Sequence, residues 1–148
     1  MPGTNKLLTG SVDEMVKVWE DTADGLKFVH SYQGHTLGVV SVATNSTGEY
    51  AASSALDSYI RVWSLKDHST AAMIEAATTE SWSIAFSPEQ AGDAGSLLLA
   101  VAGGTRGSVV VWSINKEESA ALKAELMLPQ VCGVVGGAWQ PAWRVPHQ

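Results

Sequence analysis

Three segments of this chain align with one another without gaps, and this internal repetition constrains the fold more than any other feature. Each segment is a strand of small residues, a polar turn and a β-branched strand that ends in tryptophan. The segments span residues 7–19, 51–63 and 100–112. Trp19 and Trp63 are 44 residues apart, and Trp63 and Trp112 are 49 residues apart. A period of this length predicts stacked supersecondary units, each of which buries its apolar face against a neighbour.

The pattern inside each unit has a period of two, which predicts β-strands. In residues 59–63, Ile60 and Val62 lie on one face, while Arg61 and Trp63 lie on the other. Further strands are predicted at residues 27–32, 38–43, 81–88 and 124–128, with a short helix over residues 117–125 as the alternative to the last. We therefore expect an all-β fold with four short antiparallel strands per repeat.

Composition and charge argue against several functional classes. The formal net charge is −6, and the 9 Lys and Arg residues form no run of three, which argues against direct nucleic-acid binding. The single cysteine, Cys132, excludes an intramolecular disulfide and a CxxC metal site, and favours a reducing, intracellular compartment. The longest apolar run, residues 97–102, is far shorter than the ~20 residues of a membrane span.

A repeat of this length with a Gly-His pair and a strand-ending tryptophan is typical of WD-repeat β-propellers. His35, which follows Gly34, precedes Asp57 by 22 residues, and Trp63 follows Asp57 by six. The chain therefore resembles the WD-repeat family. The resemblance implies a partial β-propeller of about three blades that does not close.

The resemblance also implies a hydrogen-bond network within each blade, formed by His, Ser or Thr, Asp and Trp side chains. By position, the network residues are His35, Ser53, Asp57 and Trp63 in the second repeat, and Thr9, Asp13 and Trp19 in the first. In the third repeat, Ala102 and Arg106 stand where the hydroxyl and carboxylate residues are expected. We therefore expect apolar packing to hold that blade together.

The same resemblance divides the chain into blades. Residues 1–34 are assigned to an incomplete first blade, 35–76 to the second, 77–128 to the third, and 129–148 to the start of a fourth blade plus an irregular tail. We expect the chain to be a fragment, an abbreviated isoform or a truncated gene model. Its terminal faces should then expose apolar residues and promote self-association. The residues expected to be exposed are Val16, Val18, Val135 and Trp139.

Residues of the predicted network also have the types found in a Ser-His-Asp catalytic triad. Catalysis would require an exposed, activated serine with oxyanion donors nearby. The sequence contains no G-x-S-x-G motif, and the positions match the blade network. We therefore interpret His35, Ser53 and Asp57 as structural and predict that the protein is not an enzyme.

Other candidate sites are also better explained without a ligand. The glycine-rich residues 103–107 lack the spacing of a phosphate-binding loop and favour a tight turn. His30 and His35 have no acid or cysteine nearby in the sequence to complete a metal site. We predict no metal and no cofactor. Trp143 lies outside any strand pattern and is the candidate for an exposed contact.

A finer resemblance is to the WD-repeat subunits of the superkiller (Ski) complex, a family shared with the Paf1 transcription-elongation complex. It is carried by residues 9–19, 34–42, 51–57 and 82–88. It implies a non-catalytic scaffold that supports exosome-mediated 3′-to-5′ RNA decay, located in the nucleus and cytoplasm.

The implied partners are a tetratricopeptide-repeat protein and a helicase, with Paf1-complex subunits as a second set. No nucleic acid, membrane or small-molecule substrate is expected to bind. The alternatives are another WD-repeat adaptor, for example in ubiquitin ligation, or a propeller hydrolase that uses His35 and Ser53.

Overall fold

The structure, a computed structural model, describes residues 5–76, 83–88, 96–102, 109–115 and 121–126. These residues form eleven β-strands. In chain order they are β1 Lys6–Gly10, β2 Val16–Thr22, β3 Gly25–Tyr32, β4 Val39–Thr44, β5 Tyr50–Ala55, β6 Tyr59–Ser64, β7 Thr70–Glu75, β8 Ser83–Phe86, β9 Ser96–Ala102, β10 Val109–Asn115 and β11 Ala121–Leu126. Among the described residues, none forms a helix that is long and apolar enough to cross a membrane.

The strands form three antiparallel sheets, each built from strands that are consecutive in sequence. We name these sheets blade 1 (β1-β2-β3), blade 2 (β4-β5-β6-β7) and blade 3 (β8-β9-β10-β11). Successive hairpins place each strand beside its neighbour in the chain, which is the connectivity of a propeller blade. The described residues therefore form a partial β-propeller that is not closed.

The turns between β1 and β2 and between β5 and β6 have the same geometry. Asp13 and Asp57 each accept a hydrogen bond from the backbone amide two residues further along, at 3.2 and 3.0 Å. Glu14 and Ser58, which follow these aspartates, have φ values of 71° and 67°. An aspartate that bonds to the backbone two residues later stabilises a tight turn. The two carboxylates thus fix the hairpins on which the network residues lie.

The hydrophobic core lies between the blades. Val16 and Val18 of β2 pack with Ala51, Trp63 and Leu65 of blade 2 in one buried cluster. Alternate residues of a strand face opposite sides of its sheet. This explains why β2 buries its two valines against blade 2 and directs Trp19 to the opposite side.

A second buried cluster joins blade 2 to blade 3. It contains Ile60 and Val62 of β6 together with Leu99 of β9 and Ile114 of β10, and Trp112 packs against it. Since Ile60 and Val62 face blade 3, the neighbouring Trp63 faces blade 1, as the period-two pattern predicts. Blade 2 therefore has an apolar contact on each of its faces.

The expectation that Val16 and Val18 are exposed is wrong. Both side chains are almost completely buried, at 0% and 2% exposed. The pair covers the face of blade 2 that carries Trp63. Val135 and Trp139, named in the same expectation, lie outside the described residues.

Most strands lie within two residues of the predicted positions, and the outer strands differ more. The sequence pattern did not identify β7, Thr70–Glu75, because its adjacent alanines have low β-propensity. At the end of blade 3, β11 spans Ala121–Leu126 instead of residues 124–128. Residues 121–125 are therefore strand, and the alternative helix is wrong for them.

Candidate functional site

Four side chains of blade 2 form a continuous hydrogen-bonded chain in its interior. Trp63 Nε1 donates to Ser53 Oγ at 2.9 Å, and Ser53 Oγ lies 2.8 Å from His35 Nε2. His35 Nδ1 lies 3.0 Å from Asp57 Oδ2. Asp57 Oδ2 also accepts the backbone amide of Thr36 at 3.0 Å. The structure therefore brings together all four residues that the repeat pattern assigned to the second blade.

The partners fix the direction of each proton. Asp57, when ionised, can only accept, so His35 Nδ1 carries a proton and donates it. Ser53 accepts from the indole of Trp63 and has one hydroxyl proton, which it donates to the lone pair of His35 Nε2. Every polar atom in the chain is satisfied when His35 is neutral, because a protonated ring would leave two donors facing the serine oxygen.

The electrostatics agree with a neutral His35 beside an ionised Asp57. Burial lowers the pKa of His35, and the positive charge of Arg61 lowers it further, against the opposing effect of Asp57. Burial alone would raise the pKa of Asp57, but its pKa is lowered by hydrogen bonds from the amides of Thr36 and Tyr59 and from His35. The carboxylate is therefore ionised at neutral pH and holds the imidazole in one orientation.

The glycine before His35 is required by the geometry of the same loop. Gly34 has a φ of +147°, which residues with a side chain rarely adopt. Its carbonyl accepts a 2.8 Å hydrogen bond from Arg61 Nη2. A Cβ at this position would lie 3.1 Å from Arg61 Cζ. The Gly34-His35 pair thus sets the close approach of the loop to β6 that positions the imidazole.

Ser53, His35 and Asp57 have the connectivity of a catalytic triad but not its accessibility. Ser53 is 0% exposed, and its oxygen already accepts the Trp63 indole proton. It lies in the middle of β5, which pairs with β4 on one side and β6 on the other. The amides of such a central strand are used in the sheet, whereas an oxyanion hole needs free donors. This arrangement supports a structural role.

Blade 1 contains a shortened version of the network. Trp19 Nε1 donates to Thr9 Oγ1 at 2.9 Å, which matches the Trp63–Ser53 bond of blade 2. Asp13 has no histidine partner among the described residues and instead forms a 2.8 Å ion pair with Lys17. Hydrogen bonds from Lys17 and Ser11 lower the pKa of Asp13.

Blade 3 replaces the network with apolar side chains, in a register that the gapless sequence alignment did not show. In blade 2, Ser53 pairs with Arg61; in blade 3, Val101 pairs with Val110, the residue equivalent to Arg61. Val101, and not Ala102, therefore occupies the serine position. The shift arises because six residues separate the last paired positions of the β9–β10 hairpin, against five in β5–β6. Val101 is buried in the cluster between blades 2 and 3.

Exposed apolar side chains lie on the turns above the network. Val12, Leu37 and Leu56 are 87%, 49% and 60% exposed, and we call these three residues the turn surface. Val12 and Leu56 immediately precede Asp13 and Asp57. The sequence analysis missed this surface, although an apolar residue at the same turn position in two repeats was a usable signal.

Hydrogen bonds around Gly38 bring the residues of the turn surface together. The amide of Leu56 donates to the Gly38 carbonyl at 3.0 Å, and the amide of Val39 donates to the Ser11 carbonyl at 3.0 Å. A Cβ built on Gly38 would lie 3.2 Å from Val12 Cα. The turns of blades 1 and 2 therefore meet at Gly38 and present one continuous apolar surface.

A histidine and tyrosine cluster joins blade 1 to blade 2 and was also missed. The rings of His30 and His68 are stacked with their centroids 4.0 Å apart, and Tyr32 Oη lies 2.7 Å from His68 Nδ1. Burial and the charge of Asp67 raise the pKa of Tyr32 to about 12, so its hydroxyl stays protonated. Among the described residues, no group of three or more His, Cys, Asp or Glu side chains could hold a metal ion.

Several residues singled out in the sequence lie outside the described part of the chain. They are Trp143, proposed as an exposed contact, Cys132, Trp82, Arg106 and the glycine-rich residues 103–107. Their roles stay predictions.

Comparison with known proteins identifies the repeats. Residues 26–64 match the family model "WD domain, G-beta repeat". The chain is 42% identical over 106 residues to WD repeat-containing protein VIP3 of Arabidopsis thaliana, a match that covers 72% of this chain and 30% of that protein. It is 43% identical over 83 residues to WD repeat-containing protein SL1-17 of Schistosoma mansoni, with 56% of this chain and 28% of that protein covered. The matches thus span less than a third of either relative.

A solved structure has a similar fold. It is the Cps50 (Swd1) β-propeller domain of Myceliophteria thermophila, with a TM-score of 0.62 and 16% sequence identity. The match covers 82% of this chain and 35% of that chain. At this identity the similarity concerns the fold alone, and it confirms the predicted all-β, partial β-propeller.

Proposed function

We propose that this chain, whose WD repeats form a partial β-propeller, is a non-catalytic scaffold that binds other proteins. The turn surface carries this proposal. Val12, Leu37 and Leu56 expose apolar side chains next to one another on hairpins that are held in place by sheet pairing. A contiguous exposed apolar surface on a rigid framework is typical of a protein-binding site.

The chemistry of blade 2 favours this function over hydrolysis. The hydroxyl, imidazole and carboxylate that could react are used to hold the blade together. Their interior location keeps Ser53 from a substrate, whereas the side chains that do reach solvent at the turns have no reactive groups. Apolar contact is therefore the interaction that this surface can make.

The finer assignment is to a Ski-type complex that supports exosome-mediated 3′-to-5′ RNA decay, with the Paf1 transcription-elongation complex as a second assembly. The sequence resemblance over residues 9–19, 34–42, 51–57 and 82–88 supports it. A tetratricopeptide-repeat protein and a helicase would then be the partners, in the nucleus and cytoplasm. The net charge of −6 fits contacts with proteins better than contacts with RNA.

Affinity capture from a cell extract tests the proposal. The tagged chain should recover the tetratricopeptide-repeat and helicase subunits, and a Val12→Asp, Leu56→Asp double variant should lose them. Met73→Asp is the matched control, since Met73 is an exposed apolar residue on the outer strand β7, away from the turns.

The outcomes separate the two levels of the proposal. Recovery of ubiquitin-ligase components alone would overturn the Ski-type assignment and leave the scaffold function in place. Equal recovery by the wild-type chain and the double variant would overturn the role of the turn surface. Ester turnover that is lost in Ser53→Ala would overturn the non-catalytic function.

A further inference from the structure

The contacts between blades repeat with equivalent residues. A β-branched pair on one blade is buried against the side of the next blade that carries the strand-ending tryptophan, and this occurs at both blade contacts. We call the two sides of a blade its valine face and its tryptophan face. The valine faces carry Val16 and Val18, Ile60 and Val62, and Val109 and Val111 in blades 1, 2 and 3; the tryptophan faces carry Trp19, Trp63 and Trp112.

The tryptophan face of blade 1 is open to solvent. Leu7, Trp19 and Phe28 are neighbours across the three strands of this blade, and the Trp19 and Phe28 rings meet edge to face with centroids 5.7 Å apart. Leu7 and Phe28 are 43% and 51% exposed. In blade 2, the equivalent of the Leu7–Trp19 pair is Ala51 and Trp63, which are buried.

The valine face of blade 3 is only partly covered. Val109 and Val111 of β10 are half-buried, whereas the equivalent Ile60 and Val62 are fully buried. Covering such apolar surface is favourable by ~25 cal/mol per Å². The two incompletely covered faces are therefore of the two types that pack together within the chain.

We propose that the tryptophan face of blade 1 binds the valine face of blade 3 of a second copy of this chain. The occupant follows from the molecule, because the same two types of face meet at both of its blade contacts. The contact joins two different surfaces, so a ring closes when each of two copies uses both. The six described sheets of two copies fall within the ~4–8 blades of known propellers.

The tryptophan face of blade 1 has one polar position that limits the strength of this contact. Asp21 stands where blades 2 and 3 have the buried Leu65 and Ile114. Its carboxylate keeps one edge of the face hydrated. We therefore expect a reversible dimer, held less tightly than the blades within one chain.

Light scattering coupled to size-exclusion chromatography tests the proposal. The wild-type chain should approach twice its 15.6 kDa mass as its concentration rises. Phe28→Glu and Val111→Glu should each weaken the dimer by ~tenfold or more. The control, Met73→Glu, alters an exposed apolar residue outside both faces and should dimerise like the wild type.

Mixing the two variants identifies the faces. A Phe28→Glu chain keeps its valine face and a Val111→Glu chain keeps its tryptophan face, so an equimolar mixture should form a 1:1 dimer. The proposal is overturned by a monomeric wild-type chain at every concentration, by dimers of either variant alone as stable as wild type, or by no recovery in the mixture.

A cross-linking experiment keeps the proposal testable if Val111→Glu does not fold. Phe28→Cys and Val111→Cys chains, both carrying Cys132→Ser, are mixed under mild oxidation and should form a disulfide-linked dimer. A Met73→Cys chain mixed with the Val111→Cys chain is the control. Equal cross-linking in both mixtures would overturn the proposal.

Discussion

His35 Nδ1 lies 3.0 Å from Asp57 Oδ2, and both side chains are almost wholly buried. Asp57→Ala removes the acceptor of this ring proton and of the backbone amides of Thr36 and Tyr59. We expect it to lower the free energy of unfolding by ~1–3 kcal/mol, because a buried donor without a partner keeps its full desolvation cost. Urea denaturation at neutral pH measures the change.

Asp13→Ala is the matched control for this prediction. Asp13 occupies the equivalent turn position in blade 1, where it makes an exposed ion pair with Lys17 in place of a histidine contact. Exposed ion pairs contribute little to stability, so this variant should lose much less than Asp57→Ala. Equal losses at the two positions would contradict the role given to the His35–Asp57 pair.

The two hydroxyl residues of the networks should also differ in their importance. Ser53→Ala leaves both His35 Nε2 and Trp63 Nε1 without a partner in a fully buried site. Thr9→Val removes a single acceptor, from the half-buried Trp19, whose indole can bond to water instead. Thermal denaturation should show the larger decrease in Tm for Ser53→Ala. A larger decrease for Thr9→Val would mean that the buried network contributes little.

Much of blade 2 could be predicted from the sequence because its determinants are local. The period-two pattern identifies which side of β6 carries Ile60 and which carries Trp63, and the position of Asp57 sets the turn between β5 and β6. The Gly34-His35 pair marks the loop that approaches β6. Each of these features depends on residues that are close in sequence or fixed by the repeat.

The register of blade 3 and the exposure of blade 1 could not be predicted in the same way. One extra residue in the β9–β10 hairpin moves Val101 into the serine position, and turn length leaves no periodic signal in the strands. The burial of Val16 and the stacking of His30 on His68 depend on how two blades pack. That packing is a tertiary property, which strand periodicity does not encode.

The stability of the chain should fall as the pH is lowered from 7 to 5, partly through His35. Burial lowers the pKa of His35 in the folded chain, whereas in the unfolded chain it is about 6.5. Below that pH the unfolded state binds a proton that the folded state does not, so the free energy of unfolding decreases. Urea denaturation at several pH values should show a shallower dependence in His35→Gln.

Two comparisons separate this titration from other effects. Burial also lowers the pKa of His68, so a His35→Gln, His68→Gln double variant should be shallower still. Ser53→Ala destabilises the same network but retains both histidines, and it should keep much of the wild-type pH dependence. An unchanged pH dependence in His35→Gln would show that His35 titrates alike in the folded and unfolded states.

Gly10 controls how closely blade 1 approaches blade 2. A Cβ at this position would lie 2.5 Å from Val39 Cγ1 and 2.9 Å from Val42 Cγ1. Gly10→Ala should therefore push the two blades apart and lower the free energy of unfolding by ~1–3 kcal/mol, as overpacking commonly does. Val39→Ala removes the nearest of the opposing atoms. In a double-mutant cycle, Gly10→Ala should cost less in the Val39→Ala background than in the wild type. Additive losses would mean that Gly10 acts through its own backbone conformation and not through the contact between blades.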